Sequence, residues 1–307
     1  MKNNNNQQLV SVGIPTYNRP EGLRRTLECI TGQTYKNLEI IVSDNCSQGK
    51  ETEEIMREFM AKDSRIQYFH QEKNKGAFFN FDFVLKKATG EYFMWAADDD
   101  EWELFFIESC IKEFYNSKKK YVAVMLEAQY FSKENNFEFF SEGRPFYDFY
   151  SEKTKDRLVF MLKNNYGNLY YSLFKRSVLI TENKDIIGIN SESMNEIPLF
   201  LSVISKGNWK VVPKIGLHKK TGEKTYKQAR WEKEGGWFPY PLNLSYFLSL
   251  RYILKYHLMA LKEIEARINL IGIETIDLKK MARWSILKHF FYFIVRHKPP
   301  CFKKLIT

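Results

Sequence analysis

Over its first hundred positions the chain alternates dense apolar runs with stretches of helical period. Leu9–Pro15 reads as a buried strand, and Glu21–Thr31 places Leu23, Leu27 and Ile30 on one helical face. Leu38–Val42 is a second buried strand, running into Ser43-Asp44-Asn45-Cys46-Ser47, where Ser47 is placed to cap a helix over 51–61. Ile66–His70 predicts a short third strand and Asn74-Lys75-Gly76 a turn. A helix then runs to Lys87, Gly90 stops it, and Tyr92–Ala96 forms a fourth strand. Such alternation with short connections predicts an α/β, Rossmann-like fold with a mainly parallel sheet flanked by helices. Ligands of such sheets bind beyond the carboxyl ends of the strands. Three polar segments fall there: Thr16–Arg19, Asp44-Asn45 and Asp98–Asp100.

Farther on the pattern predicts a helix over 105–114 and a strand at Tyr121–Leu126. Phe131–Asp148 is acidic and turn-rich, two helices flank a strand at Leu169–Phe174, and another strand follows at Trp209–Pro213. Residues 241–296 carry long aromatic and aliphatic helical faces. The expected organisation is a polar tail (1–8), an α/β domain (9–220), a turn-rich lid or hinge (221–240) containing Gly235-Gly236, and a basic, aromatic helical region (241–307).

Charge changes this picture. The net +10 is uneven: from Lys206 onward there are 21 Lys+Arg against 7 Asp+Glu, or +14, and before it 26 against 30, or −4. The excess predicts an anionic partner for the last third. Aromatics there stand among Arg251, Lys255, Arg283, Lys288 and Arg296, which suits either a helix lying on an anionic membrane surface or a cap packed on the core. The acidic first two thirds and the lack of a recognition motif argue against nucleic acid. No run of about 18 uncharged apolar residues predicts a spanning helix. Cys29, Cys46, Cys110 and Cys301 show no CxxC spacing and read as free thiols of a cytoplasmic protein.

The chemistry concentrates at Asp98-Asp99-Asp100, directly after the apolar run Glu91–Ala97. Adjacent carboxylates repel one another, and a strand leaving a core is a costly place for them. A divalent cation offsets that cost, and Mg²⁺ or Mn²⁺ completes its shell with water and phosphate oxygens. Trp95 reads as core. Trp102 is placed to wall a pocket beside the triplet, and Asp82 and Glu101 read as solvated charges.

These segments together resemble an inverting glycosyltransferase of family 2 with the GT-A fold, of the bacterial surface-polysaccharide type. The matching pieces are Val12-Gly-Ile-Pro-Thr-Tyr-Asn-Arg-Pro20, Gln33-Thr-Tyr-Lys-Asn-Leu-Glu-Ile-Ile-Val-Ser-Asp-Asn45, Asn74-Lys75-Gly76, Ala88-Thr89-Gly90-Glu91-Tyr92-Phe93 and Asp98-Asp99-Asp100-Glu101-Trp102. They span roughly 9–220. The resemblance implies a UDP- or dTDP-sugar donor, Mn²⁺ or Mg²⁺, and a hydroxyl acceptor on a glycan or polyprenyl-linked glycan, at the cytoplasmic face of the inner membrane. It implies nucleotide contacts from Pro15, Thr16, Tyr17, Arg19, Asn74 and Gly76, with Asp44 accepting a hydrogen bond from the base and Asp98 near the ribose. Metal contacts fall on two of Asp98, Asp99 and Asp100, with His218 as a further ligand. Lys219 and Lys220 would meet the pyrophosphate and Trp102 the acceptor. Asn195-Glu196 stands where the family carries an acidic pair, which makes Glu196 the candidate general base and Glu192 its reserve. The alternative for Glu196 is a carboxylate favouring a helix N-terminus. One departure is Ala97, where the commonest family form has Asp. Two other classes compete: a sugar nucleotidyltransferase, disfavoured because the loop Thr16–Pro20 has no glycine cluster, and a degenerate, non-catalytic nucleotide-sugar or glycan binder.

Overall fold

The structure, a computed structural model, describes residues 8–118, 120–132, 148–149, 151–163, 167–180 and 197–221, together with 262, 264, 265, 280 and 283. Its first half follows the predicted alternation. Strand β1 (Val10–Thr16) and strand β2 (Leu38–Asp44) are buried along their whole length, as expected of parallel strands covered on both faces. Between them α1 (Pro20–Thr31) starts on a proline whose fixed φ suits the first helical turn, and it buries Leu23, Leu27 and Ile30. Helix α2 (Glu51–Lys62) collects Glu51, Glu53 and Glu54 at its positive end. It begins at Lys50 with no side-chain cap, because the Ser47 hydroxyl instead accepts the Asn18 amide at 2.8 Å. Strand β3 (Ile66–His70), α3 (Ala77–Lys87) and β4 (Tyr92–Trp95) complete this half.

The second half contributes β5 (Asp100–Trp102), α4 (Phe106–Asn116), β6 (Tyr121–Ser132), β7 (Asp148–Phe149), α5 (Thr154–Lys163), β8 (Leu173–Lys175), α6 (Ile197–Ser205) and β9 (Asn208–Thr221). One sheet runs β3-β2-β1-β4-β8-β6-β9-β5, with β7 paired to β9. Its β3-β2-β1-β4 part is parallel. Beyond β4 the sheet is mixed: β8 lies antiparallel to β4 and β6, β9 parallel to β6, and β5 antiparallel to β9. Parallel ladders, with β6–β9 the longest, thus make up most of the pairing, as expected, and short antiparallel ladders join them beyond β4. The expected strand at Leu169–Phe174 is a 3-10 turn over Gly167–Tyr171 followed by the short β8. Gly167-Asn168 favours a turn, and the Ser172 hydroxyl closes it by donating to the Leu169 carbonyl at 2.8 Å. Strand β9 continues well past Pro213. The ladder to β6 jumps from Leu126–Val212 to Glu127–Ile215, so the proline, which has no N–H, falls in an irregularity.

Two motif segments serve the scaffold. The Gln33 amide donates to the carbonyls of Cys29 (3.2 Å) and Glu103 (2.9 Å), and its oxygen accepts the Ile107 amide (3.1 Å), tying the end of α1 to the start of α4. Glu39 accepts from Ser11 Oγ (2.5 Å) and from the Thr89 and Gly90 amides (2.6 and 3.0 Å), which locks β1, β2 and the entry to β4 together. Under β8 and β9 the Trp209 ring meets Phe174 and Phe200 edge-on, and its Nε1 donates to Ser172 Oγ at 3.0 Å.

Candidate active site

The carboxyl ends of β1 and β2 and the segment after β4 meet at one edge of the sheet. The Thr16 hydroxyl, last in β1, donates to Asp98 Oδ2 at 2.8 Å, and the Tyr17 backbone bonds the same carboxylate. Arg19, at the entry to α1, donates through Nη1 to Asp98 Oδ1 at 3.2 Å and also to Asp99 Oδ2. Helix α1 backs the acidic turn. Thr26 Oγ1 lies 2.9 Å from the Ala97 carbonyl and 3.1 Å from that of Asp100. A Cβ at Gly22 would overlap the Asp98 carbonyl oxygen, so only glycine lets the first turn of α1 come this close.

The three carboxylates are not equivalent. Burial raises Asp98 to about 6, against the pull of Arg19 and with a further push from Asp99. Burial likewise raises Asp100 to about 6 against Lys219, whose Nζ is 2.5 Å from Asp100 Oδ2. Lys219 faces Asp100 in the β5–β9 ladder and lies 4.2 Å over the ring of Tyr171. The phenol of the partly buried Tyr171 is pushed up, mainly by desolvation and then by Asp100 and Asp99. Asp99 alone of the triplet reaches the surface, with a side chain 48% exposed. Among the described residues no three acidic, His or Cys side chains converge on one point. The donor set is nevertheless of the hard carboxylate kind that suits Mn²⁺ or Mg²⁺. It fits a cation shared between one or two carboxylates and substrate phosphates better than a cage made by protein alone.

At the end of β2 the Asp44 carboxylate is only 2% exposed. Its Oδ1 accepts the Ser47 amide at 2.8 Å, and its Oδ2 accepts the Tyr68 hydroxyl at 3.0 Å. His70 Nδ1 lies 3.2 Å from the same Oδ2, and since a carboxylate only accepts, that nitrogen carries the hydrogen. Burial first, and Asp44 second, push the Tyr68 phenol upward. Beside it the Asn45 amide donates to Asn74 Oδ1 (2.9 Å) and the Gly76 carbonyl (3.0 Å), and Asn45 Oδ1 accepts the Lys75 amide at 3.0 Å. Gly76 holds φ +88° at the entry to α3. Asn80 spans the strand ends from below, donating to the Thr16 and Ser43 carbonyls at 3.1 and 2.9 Å.

The sequence-based site residues thus separate. Thr16, Tyr17, Arg19 and the triplet share one hydrogen-bonded group, to which Lys219 is attached through Asp100. Asp44, Asn74 and Gly76 line the adjoining strand end, which the Asn45 amide joins to Thr16 through a 3.0 Å bond to its carbonyl; Pro15, buried in β1, lies between. His218 Nε2 is 2.9 Å from Glu103 Oε1, one ladder position from Lys219. Trp102 is 2% exposed and packs edge-on to Tyr171, with ring centres 6.4 Å apart. Trp95 is buried, its Nε1 donating to the Phe81 carbonyl at 3.0 Å. Asp82 pairs with Lys86 along α3, and Glu101 with Arg25. Glu192, Asn195, Glu196, the Lys220 side chain, residues 222–240 and nearly all of 241–307 lie outside the described residues. No helix among the described residues is long and apolar enough to cross a membrane. Tyr68, His70 and Tyr171 were not singled out in the sequence, and Asn45 only as part of the strand-end segment Asp44-Asn45. His70 could have been found by strand register, since it faces Asp44 across β2 and β3.

Comparison with known proteins agrees with this fold. The family model described as Glycosyl transferase family 2 matches residues 11–181. Glycosyltransferase GlyG of Streptococcus pneumoniae serotype 4 is 32% identical over 142 residues, 45% of this chain and 46% of that protein. The GalNAc(5)-diNAcBac-PP-undecaprenol beta-1,3-glucosyltransferase of Campylobacter jejuni is 29% identical over 176 residues, 57% of this chain and 53% of that one. The chain spans about half the length of these curated relatives, and 30% of an uncharacterized glycosyltransferase of Rickettsia typhi. Among solved structures, S. aureus TarS 1-349 in complex with UDP-GlcNAc superposes with a TM-score of 0.65 at 14% identity, covering 93% of this chain and 73% of that one. The mannosyltransferase PcManGT from Pyrobaculum calidifontis, in complex with GDP-Man and Mn2+, gives 0.50 at 15% identity, covering 94% and 83%. At such identities the likeness shows the GT-A fold alone.

Proposed function

The chain belongs to glycosyl transferase family 2, and we propose that it moves a sugar, with inversion, from a UDP- or dTDP-sugar to a hydroxyl of a glycan or polyprenyl-linked acceptor in surface-polysaccharide synthesis. The observation that carries this is the bonded group formed by Thr16, Arg19, Asp98 and Asp99, beside Asp44, at the carboxyl edge of the sheet. The UDP-GlcNAc complex of TarS supports the donor class, and the undecaprenol-PP name of the Campylobacter jejuni relative supports the acceptor class.

In this mechanism the nucleoside lies along Pro15–Tyr17 with its base toward Asp44 and its ribose toward Asp98. Arg19 and Lys220 meet the diphosphate and stabilise the charge it gains as it leaves, and Lys219, expected there by resemblance, acts from its place on Asp100 beside it. Asp99, with Asp100 next to it, would hold Mn²⁺ or Mg²⁺ with the diphosphate, which supplies Lewis-acid stabilisation of that leaving group. Glu196, with Glu192 in reserve, takes the proton of the acceptor hydroxyl. The acceptor oxygen then bonds the anomeric carbon from the face opposite the departing phosphate oxygen, which leaves with the bonding electron pair. The basic 241–307 region would hold the enzyme on an anionic membrane face.

Calorimetric titration with UDP, dTDP and GDP, each with and without Mn²⁺ and repeated on Asp99→Ala, tests the donor site. The expected result is Mn²⁺-dependent binding of UDP or dTDP that the variant loses. Absence of binding by all three nucleotides would remove the donor site and favour the non-catalytic alternative.

A further inference from the structure

The two cations that neutralise the acidic triplet are held very differently. Lys219 is built in. Its side chain is 18% exposed and that of Asp100 4%, the two face each other across the β5–β9 ladder, and the ammonium is covered by the Tyr171 ring. Removing it would strand a buried carboxylate. Arg19 is held at the surface. Its side chain is 37% exposed, its partner Asp99 is 48% exposed, and one nitrogen, Nη1, makes both carboxylate contacts. An exposed pair of this kind is weak and is exchanged readily for another partner. Arg19 also leads into α1, whose first turn lies against the Asp98 backbone. The guanidinium is therefore anchored within reach of wherever a diphosphate would meet Asp99.

We infer that Arg19 is a removable counter-ion: before the donor binds it neutralises Asp98 and Asp99, and when a nucleotide diphosphate arrives with its divalent cation it gives up Asp99 and turns to the diphosphate oxygens, while Lys219 stays on Asp100. This rests on the donor-site reading above and adds two assignments to it. Asp99 is the protein carboxylate that a cation can take, and Arg19 is a positioning residue that couples cation binding to nucleotide binding. The guanidinium keeps cations off Asp99 until phosphate oxygens offer it a stronger, charge-assisted partner. Arg19 thus opposes binding of cation alone and favours binding of nucleotide with cation, a split that a merely structural arginine would not produce.

The test uses the full chain and two probes. Mn²⁺ alone is titrated, with free Mn²⁺ read by its electron paramagnetic resonance signal, on wild type, Arg19→Gln, Arg19→Lys and Lys219→Met. UDP is then titrated calorimetrically at saturating Mn²⁺ on the same proteins. Arg19→Gln should bind Mn²⁺ alone ~10-fold more tightly and UDP with Mn²⁺ ~10-fold more weakly, the size of one charge-assisted hydrogen bond. Arg19→Lys keeps one charge without the fork and should move both values the same way by less. Lys219→Met should not tighten Mn²⁺ binding, because Asp100 remains buried. The inference is overturned if both Arg19 variants match wild type toward Mn²⁺ alone, if they bind UDP as well as wild type, or if Lys219→Met gains Mn²⁺ as Arg19→Gln does. Failure of wild type to bind any nucleotide would sink the donor-site reading instead. The Mn²⁺-only comparison would still decide whether Arg19 guards Asp99.

Discussion

Two sets of buried carboxylates sit at opposite ends of the same parallel strands, and their surroundings differ in kind. At the amino-end junction Glu39 is met by neutral donors: the Ser11 and Thr89 hydroxyls and the Thr89 and Gly90 amides. Burial alone would raise its carboxyl, but these bonds together hold it below the ordinary glutamate value. At the carboxyl edge Asp98 and Asp100 have fewer neutral donors and rely on Arg19 and Lys219. There burial wins, and both rise to about 6. The first arrangement is a satisfied joint that stabilises the fold. The second keeps charge under tension where a ligand can relieve it, the pattern expected of a working site.

Changes at the joint should act on stability and changes at the edge on binding. The largest expected effect is Glu39→Ala. It leaves the Ser11 and Thr89 hydroxyls and the part-buried Thr89 amide without this acceptor, while the Gly90 amide keeps Ser11 Oγ, which should cost about 3 kcal/mol in stability. A fall in denaturant midpoint with unchanged nucleotide affinity of the remaining folded protein is the expected outcome. A selective loss of nucleotide binding would erase the distinction between the two ends. Gly22→Ala should cost about 2 kcal/mol through overlap with the Asp98 carbonyl. Unlike Glu39→Ala it should also weaken nucleotide binding, because the added methyl pushes the acidic turn off α1.

The two ends should also answer pH with opposite sign. Asp98 and Asp100 hold folded values above their unfolded value of 3.8, so between about 4 and 6 the folded chain binds more protons than the unfolded one. Their contribution to stability therefore falls as pH rises through that window. Glu39, held below its unfolded value of 4.5, contributes stability above that value and loses it as pH falls through the folded one. Relative to wild type, Asp98→Asn should gain about 1–3 kcal/mol of stability on going from pH 4 to pH 7. Chemical denaturation at the two pH values measures it. An equal difference at both would mean that Asp98 is not the strained group it is taken to be.

The sequence announced the edge more fully than its partners. Apolar runs and helical periods placed β1 to β4, and with them the strand ends bearing Thr16, Asp44 and Asp98–Asp100, because these depend on local pattern alone. Asp100 and Lys219 are 119 positions apart and meet only through the β5–β9 ladder, which no local signal reveals. The same ladder turns Trp102 into the interior, although its place beside the triplet suggested a pocket wall. Tyr171 reaches the acidic group from a 3-10 turn that an apolar run disguised as a strand. The Glu39 joint was hidden for another reason. A charged residue inside a buried strand has no periodic signature, and its partners lie on two other segments.

The smallest expected effect lies between the two ends, at Asp44. This carboxylate is 2% exposed like the joint yet stands at the edge, and it already accepts the Ser47 amide, the Tyr68 hydroxyl and His70 Nδ1. If it behaves as a site residue, its donors set its orientation toward the base without carrying the fold. His70, with its side chain 52% exposed, is the donor whose loss exposes no buried group. His70→Ala should leave the melting temperature unchanged and weaken nucleotide binding by about 0.5–1 kcal/mol, a few-fold in affinity, since one bond orienting Asp44 is lost. On the proposed function the loss should be greater for the preferred nucleotide than for the others, because the orientation of Asp44 would matter only to the base it contacts. A drop in melting temperature with no change in nucleotide preference would place Asp44 with Glu39, as part of the frame.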